Sequence, residues 1–445
     1  MKTYADSASC TSGVPRPRRP IGLSVGLGLL LSLCLACSPP EDAAPDGATM
    51  GVEDGATMGG DDGGATTCGD ALCEGTETCA SCAEDCGECP DEPICGDARC
   101  DPTETCEDCA EDCGACPPSP EPYTHAALLA RRSGFAAMVT GAGADADTDA
   151  TRHVWVTSTS DAGPGSLREA LSVAGRWVRF DDSLGPEPTI TLTSGPIVPA
   201  ADITLDGRGK HVTIMSSHTQ TVFDIENDNQ IFVNLEVVID ARDQNPQADC
   251  FNINGGGGDP VDDVWINHVT MSGARDKRVG VPFGADVTID WCHMFGGTGH
   301  GVLVGCMSCS RPEVSFTTMH HNYMHDLPDR YPRVSDGHHV HAYNNVSANW
   351  AYYAMGAVRD GELVAENNWF TPGGDDTAIK ASEGAHARGI VRATGNVLNG
   401  GTEEQNAPAR AFTPPYAYDL DVADPSARER VVAEAGWQPA SFWDR

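Results

Sequence analysis

Five side chains of this 445-residue sequence are not explained by the hydrophobic pattern around them. Asp249 closes the polar loop DQNPQAD, Asp276 sits in GARDKRVG, His300 in GGTGHGVLVG, and Arg330 and Arg333 bracket Tyr331-Pro332 as an Arg-x-Pro-Arg element. Carboxylate oxygens suit a hard cation such as calcium. Guanidinium groups present forked donors that match a carboxylated sugar. A neutral histidine can take up or hand over a proton near pH 7. Taken singly, each has a plainer reading: an Asx turn for the aspartates, a solvated charge for the arginines, a satisfied turn residue for His300. Shared chemistry requires a scaffold that brings them to one side.

From about residue 123 to 445 the sequence runs in short β-branched stretches broken by Gly, Asp and Asn, among them VWVTS (154–158), WVRF (177–180), ITLDG (203–207), VTIMS (212–216) and IFVNLEVVI (231–239). Helical periodicity is confined to SLREALSVA (166–174), capped by its serine, and to Ser426–Ala435. VWINHVTM, VTIDWCHMF, VSFTTMHHNYM, VHAYNNV, LVAENNWF and VRATGNVL align so that His268, His293, Asn322, Asn345, Asn368 and Asn396 correspond, at intervals of 25, 29, 23, 23 and 28 residues. Recurrence near 25 residues, with short strands and no intervening helices, predicts an all-β solenoid, a parallel β-helix. Side-chain amides stacked at one bend would bond one another along its axis. The hairpin signals of a β-sandwich are missing. The five polar residues fall in turns between strands of successive coils, on a lateral face of the kind that suits an elongated polymer.

The formal net charge of −37 excludes nucleic acid as a partner. The acid is concentrated at the N-terminal side, where residues 38–121 carry 23 Asp and Glu against one Arg. Residues 1–37 read as a signal peptide: a basic patch at Arg16, Arg18 and Arg19 precedes the apolar run Ile21–Ala36, too short to span a bilayer comfortably. The run ends in LSLCLAC and resembles a lipoprotein signal with Cys37 as the lipidated residue, although Cys34 stands where leucine is usual. Residues 38–67 form an acidic flexible linker. Two units, 68–89 and 95–116, share one six-cysteine spacing at a period of 27 residues and predict small disulfide-rich repeats in an oxidising compartment, with connectivity open. A Pro-rich hinge covers 117–122.

VWINH, VTIDW, VLVG, MHHN, Arg-x-Pro-Arg and HAYNN, preceded by GFAAMVTGAGA (134–144), GPGSLREAL (163–171) and ITLDG and followed by PPYAYDLD…VVAEAG (414–436), occur in an order and spacing that resembles the pectate lyases of polysaccharide lyase family 1. The resemblance covers roughly residues 123–437. It implies a right-handed parallel β-helix and calcium-assisted β-elimination of polygalacturonate, an acidic polysaccharide; with the N-terminal signal, the expectation is an exported enzyme, extracellular or at the cell surface, acting as a monomer. It places the base on Arg330, substrate binding on Arg333 and His300, and calcium on Asp249 and Asp276. A guanidinium acts as a base only after losing its proton, which calls for neighbouring cations.

The sequence departs from the family at four positions. A further calcium aspartate falls on Gly280, the substrate lysine on His300, a second arginine on Ser335, and the aspartate of the WIDH phrase on Asn267. Asp262, Asp263 and Asp286 stand as possible replacements for the lost carboxylate. Two alternatives follow: a glycan-binding β-helix without turnover, or a lyase for another uronate polymer that uses His300. Cys306 and Cys309 predict a small loop disulfide, Cys250 and Cys292 either core residues or a pair across coils, and Trp350, Tyr352 and Tyr353 a sugar-stacking platform or packing.

Overall fold

A computed structural model describes residues 123–444 except 218–220, 241–245, 256–259, 307–313, 372 and 423, together with Glu84. The predicted signal, linker, cysteine repeats and hinge lie outside the described residues. The chain from 123 onward coils into a right-handed parallel β-solenoid of about ten turns. Its first sheet has ten strands, from His153–Val156 to Ile390–Thr394, and the second and third have eight each, from Thr189–Leu192 to Trp369–Thr371 and from Phe223–Ile225 to Thr402–Glu403. Each strand pairs in parallel with the equivalent strand one coil away.

Strict register stacks like positions. Along the first sheet Val178, Leu205, Phe232, Ile266, Ile289, Met319, Ala342, Ala365 and Ala393 form one buried inward column. The outer face of this sheet is covered as well, because parallel strands bury both faces. Ile231, Val233 and Trp265 pack against Leu128, Leu129, Ala136, Val139 and Trp443, which come from the two ends of the domain. The segment around 134–142 lies close on an outward threonine row. A Cβ on Gly134 would meet Thr318 Oγ1 at 2.6 Å, and one on Gly141 would meet Thr204 Oγ1 at 2.0 Å, both at positive φ. The short helices follow from their caps: Ser166 accepts from the Glu169 N–H ahead of Leu167–Ala170, and Asp424 from the Ser426 N–H ahead of Pro425–Glu434.

The bends are built from two adjacent columns. Asn234, His268, Trp291, His321, Asn344, Asn367 and Gly395 all take positive φ at one corner, between the first and second sheets. This corner also splits the continuous-looking IFVNLEVVI into Gln230–Val233 and Glu236–Ile239, on different sheets. The next residue in each coil forms the amide ladder. Asn322 Nδ2 donates to Asn345 Oδ1 at 2.9 Å, Asn345 Nδ2 to Asn368 Oδ1 at 3.0 Å, and Asn368 Nδ2 to Asn396 Oδ1 at 3.0 Å. Each Oδ1 also accepts a backbone N–H from the coil before it, and each Nδ2 also donates to a backbone carbonyl.

His268 and His293 do not belong to this ladder. Register places His268 in the corner column, stacked on Trp291, and His293 one residue beyond the ladder, beside Thr270 and Tyr323. The ladder starts at Asn322 because the preceding coil offers only the Cys292 backbone N–H, with its thiol turned into the core. Cys250 and Cys292 are both free and buried, so the pairing alternative is not realised, and burial pushes the Cys250 thiol up to about 12. Cys306 is disulfide-bonded, and its predicted partner Cys309 lies outside the described residues.

Removing one rung strands buried donors and acceptors on both sides. Asn345→Ala should therefore cost about 2–3 kcal/mol or more, seen as a lower urea midpoint at unchanged slope. An unchanged midpoint would show that the ladder does not stabilise the coils. Peptides carrying Cys250 and Cys292 should stay unmodified by a thiol reagent in the native protein and react on denaturation, as mass spectrometry would show. Labelling of either in the native state would contradict the buried placement.

Candidate active site

The predicted residues gather along the leading edge of the third sheet. Continuing the register of Phe251 with Val279 puts Asp249 beside Lys277, and Lys277 pairs in turn with His300, the first residue of His300–Val304. In the next coil Asp329 and Arg330 precede the two-residue strand Arg333–Val334, and their carbonyls accept from the N–H groups of Gly301 and Val302 at 3.1 and 2.6 Å. The structure puts Lys277 in the row of Asp249 and His300 and leaves Asp276 one residue outside it.

Arg330 adopts φ +68°, a conformation uncommon for a side chain of its size. Tyr331, fully buried, holds the turn by accepting from Leu327 N–H at 2.9 Å and donating to Leu327 O at 3.0 Å. The Tyr331–Pro332 peptide is cis. Both guanidiniums converge on Glu383, with Arg330 Nη2 3.7 Å from Oε1 and Arg333 Nη1 hydrogen-bonded to Oε2. Arg330 Nε also lies 3.6 Å from Asp329 Oδ1. The same Asp329 oxygen is paired with His300 Nδ1. A histidine that donates from Nδ1 presents Nε2 as its acceptor.

At the other end of the row the Lys277 ammonium is bound by two carboxylates: Asp276 Oδ2, to which it donates a hydrogen bond, and Asp249 Oδ2 at 3.2 Å. Asp249 Oδ1 accepts the Lys277 backbone N–H at 2.7 Å. Burial pushes the Asp249 carboxyl up to about 7 against the pull of Lys277. Burial alone would depress the Lys277 ammonium, but two carboxylates outweigh it and hold the group above the usual lysine range. The asymmetry follows from the count: the cation has two close counter-ions and Asp249 only one.

Calcium takes about six to eight oxygen ligands, and this donor set does not fit that demand. Both carboxylates close on an ammonium. A Cβ on Gly280 would lie 2.9 Å from Lys277 Cε and 3.5 Å from Asp249 Oδ2, so the lysine stem fills the space toward which a third carboxylate would project. Among the described residues no group of three or more His, Cys, Asp or Glu is assembled for a metal. Of the aspartates weighed as replacements, Asp263 stands within the electrostatic reach of Asp286, Asp262 and Asp228, and Asp249 within that of Lys277 and Asp276.

The remaining sequence candidates divide. Ser335 is fully buried, donates to Asp336 Oδ2 at 2.7 Å and would contact a Cβ on Gly305 at 2.6 Å, leaving little room there for an arginine. Asn267 donates to Asp290 Oδ1 at 2.9 Å inside the fold. Trp350 packs edge-on against Phe370, and Tyr353 is buried within the electrostatic reach of Asp329, Glu383, Arg333 and Arg330. Tyr352 alone of the three aromatics is open to solvent, at 63% exposure. Sequence reasoning missed Lys277, Asp329 and Glu383. The first two adjoin residues it singled out, and strand alternation would have put Lys277 in the row. Glu383 lies 50 residues from Arg333 and has no local signature.

The sequence pattern of the family described as Pectate lyase matches residues 211–438. Among individual proteins, the chain is 28% identical over 230 residues to a protein named probable pectate lyase of Solanum lycopersicum, covering 47% of this chain and 54% of that one. It is 32% identical over 129 residues to pectate lyase C of Dickeya chrysanthemi, covering 25% and 33%. The chain spans about half the length of the curated relatives it matches first. A pectate lyase of Bacillus sp. N165, solved with trigalacturonate, shares the fold at a TM-score of 0.50 and 19% identity, over 69% of this chain and 98% of that one. With the family pattern extending over half of the sequence, on the solenoid that carries the clustered Arg330, Arg333 and His300, the chain belongs to the pectate lyase family.

Proposed function

We propose that this chain is an exported lyase that cleaves a uronate-containing polysaccharide, most simply polygalacturonate, by β-elimination with Arg330 as the base. The observation that carries this reading is that Arg330, held in a left-handed turn, has the Arg333 cation beside it across Glu383, the neighbouring positive charge that favours loss of its proton, while Glu383 itself favours the charged form. In the elimination, the C5 proton of a uronate passes to the base, the C4–O bond breaks, a C4=C5 double bond forms, and the leaving oxygen takes up a proton. Arg333 stabilises negative charge on the substrate. Calcium assistance, which the family resemblance implies, enters no step here, because the carboxylates expected to hold the ion are closed on Lys277.

The basic patch and apolar run of residues 1–37 support export, with lipidation at Cys37 as the anchored form, and the acidic polymer is the partner of a monomeric enzyme. No described helix is long and apolar enough to cross a membrane. A second reading, elimination with His300 as base, is favoured by the Asp329 carboxylate on Nδ1, which orients Nε2 for proton transfer.

Purified protein given polygalacturonate and other uronate polymers should generate unsaturated, ultraviolet-absorbing ends. Arg330→Lys should lower kcat by about 10²–10⁴-fold with the far-ultraviolet circular dichroism unchanged. Full activity in that variant, with loss in His300→Gln, would move the base to His300. Binding of the polymers without any unsaturated product from the wild type would sink both lyase readings and leave a glycan-binding solenoid.

A further inference from the structure

We propose that the Lys277 ammonium replaces a divalent ion at this site, neutralising the substrate uronate carboxylate during elimination, so that the reaction proceeds without calcium. The inference rests on the lyase reading above and concerns how that site handles charge. Its basis is geometric. Lys277 Nζ stands between Asp249 and Asp276, the carboxylates that an ion would have to bridge, and its stem passes through the space beside Gly280 where a further carboxylate would point. The register of the third sheet places Lys277 next to His300, so the ammonium belongs to the same row as the proposed catalytic groups.

An ammonium has three donors. Two face Asp249 and Asp276, and the third has no partner among the described residues. The lysine side chain is 14% exposed, so part of it reaches the surface. Removing the C5 proton spreads negative charge from C5 onto the attached carboxylate. A fixed cation there stabilises that charge without having to be recruited from solution. The two aspartates orient the ammonium and keep it protonated. The electron count of the elimination is unchanged: Lys277 donates a hydrogen bond, and no proton leaves it.

The contrast with calcium is one of valence and of supply. A divalent ion brings more charge but needs oxygen ligands that this chain spends on Lys277. A resident ammonium supplies one charge at any calcium concentration.

Three measurements on the full chain decide the matter. Initial rates on polygalacturonate in excess chelator should stay within about twofold of those with added calcium. Lys277→Met, similar in length and uncharged, should lower kcat/KM by about 10²-fold or more in chelator, whereas Lys277→Arg should retain most of the activity. Loss of wild-type activity in chelator with recovery on adding calcium would overturn the proposal, as would full activity of Lys277→Met in chelator. Calcium binding by titration calorimetry gives a readout that does not depend on turnover. Asp249→Asn should bind as many calcium ions as the wild type, because Asp249 holds no ion. A loss of one ion in that variant would overturn the proposal. If the wild type cleaves no uronate polymer, the lyase reading fails, and the calorimetric comparison still decides whether Lys277 occupies the cation position.

Discussion

Each coil of the solenoid directs its backbone N–H and C=O groups along the axis, and only the next coil, in register, can satisfy them. A slip of one residue would turn the inward column of Phe232, Ile266 and Ile289 toward the outer face, where Ile231 and Trp265 already pack under the terminal segments. The corner therefore has to repeat in every coil. Asparagine meets this demand twice, as a residue that tolerates positive φ at Asn344 and Asn367, and as an amide that bonds its own kind at Asn322, Asn345, Asn368 and Asn396. Where neither amide is present the column is maintained by rings, with Trp291 stacked on His321 at 4.6 Å.

The same register that closes the backbone bonds delivers the site. Asp249, Lys277 and His300 become neighbours because strands roughly one coil apart in sequence lie side by side, and Arg330 follows in the next coil. Charges along this edge are compensated, Lys277 by Asp249 and Asp276, and Arg330 and Arg333 by Glu383, while Asp329 meets His300 Nδ1. Partly buried charges need such partners, since an unpaired one pays a desolvation penalty that packing does not return. The compensation also limits chemistry. Carboxylates already closed on an ammonium or a guanidinium are poorly placed to gather around a metal ion.

Arg330 shows how the scaffold and the site meet. Its left-handed backbone interrupts the third sheet just where the Arg-x-Pro-Arg element begins, and Tyr331 anchors the interruption through both backbone groups of Leu327. A strained residue held by a rigid surround is the usual arrangement at a functional position. The departures from the family are packing facts as well as chemical ones. Ser335 is enclosed beside Gly305, and the space beside Gly280 is taken by Lys277.

The sequence by itself determined the architecture, because a solenoid writes its repeat into the chain: β-branched runs near every 25 residues, with Asn at the bend from Asn322 to Asn396, specify coils without any knowledge of contacts. It also determined which residues were unexplained by packing, and Arg330, Arg333, His300, Asp249 and Asp276 do gather at one edge. Its alignment went wrong by one position at His268 and His293, since the loops between strands differ in length and only hydrogen-bonded pairing fixes the count. Partnership was decided by the tertiary structure alone. Lys277 reads as a loop charge until register sets it between two carboxylates, and Glu383 reads as a surface acid until the last coils bring it to both arginines. Ion pairs depend on separations through space of a few ångströms, which sequence spacing does not encode once the chain has turned through a whole coil.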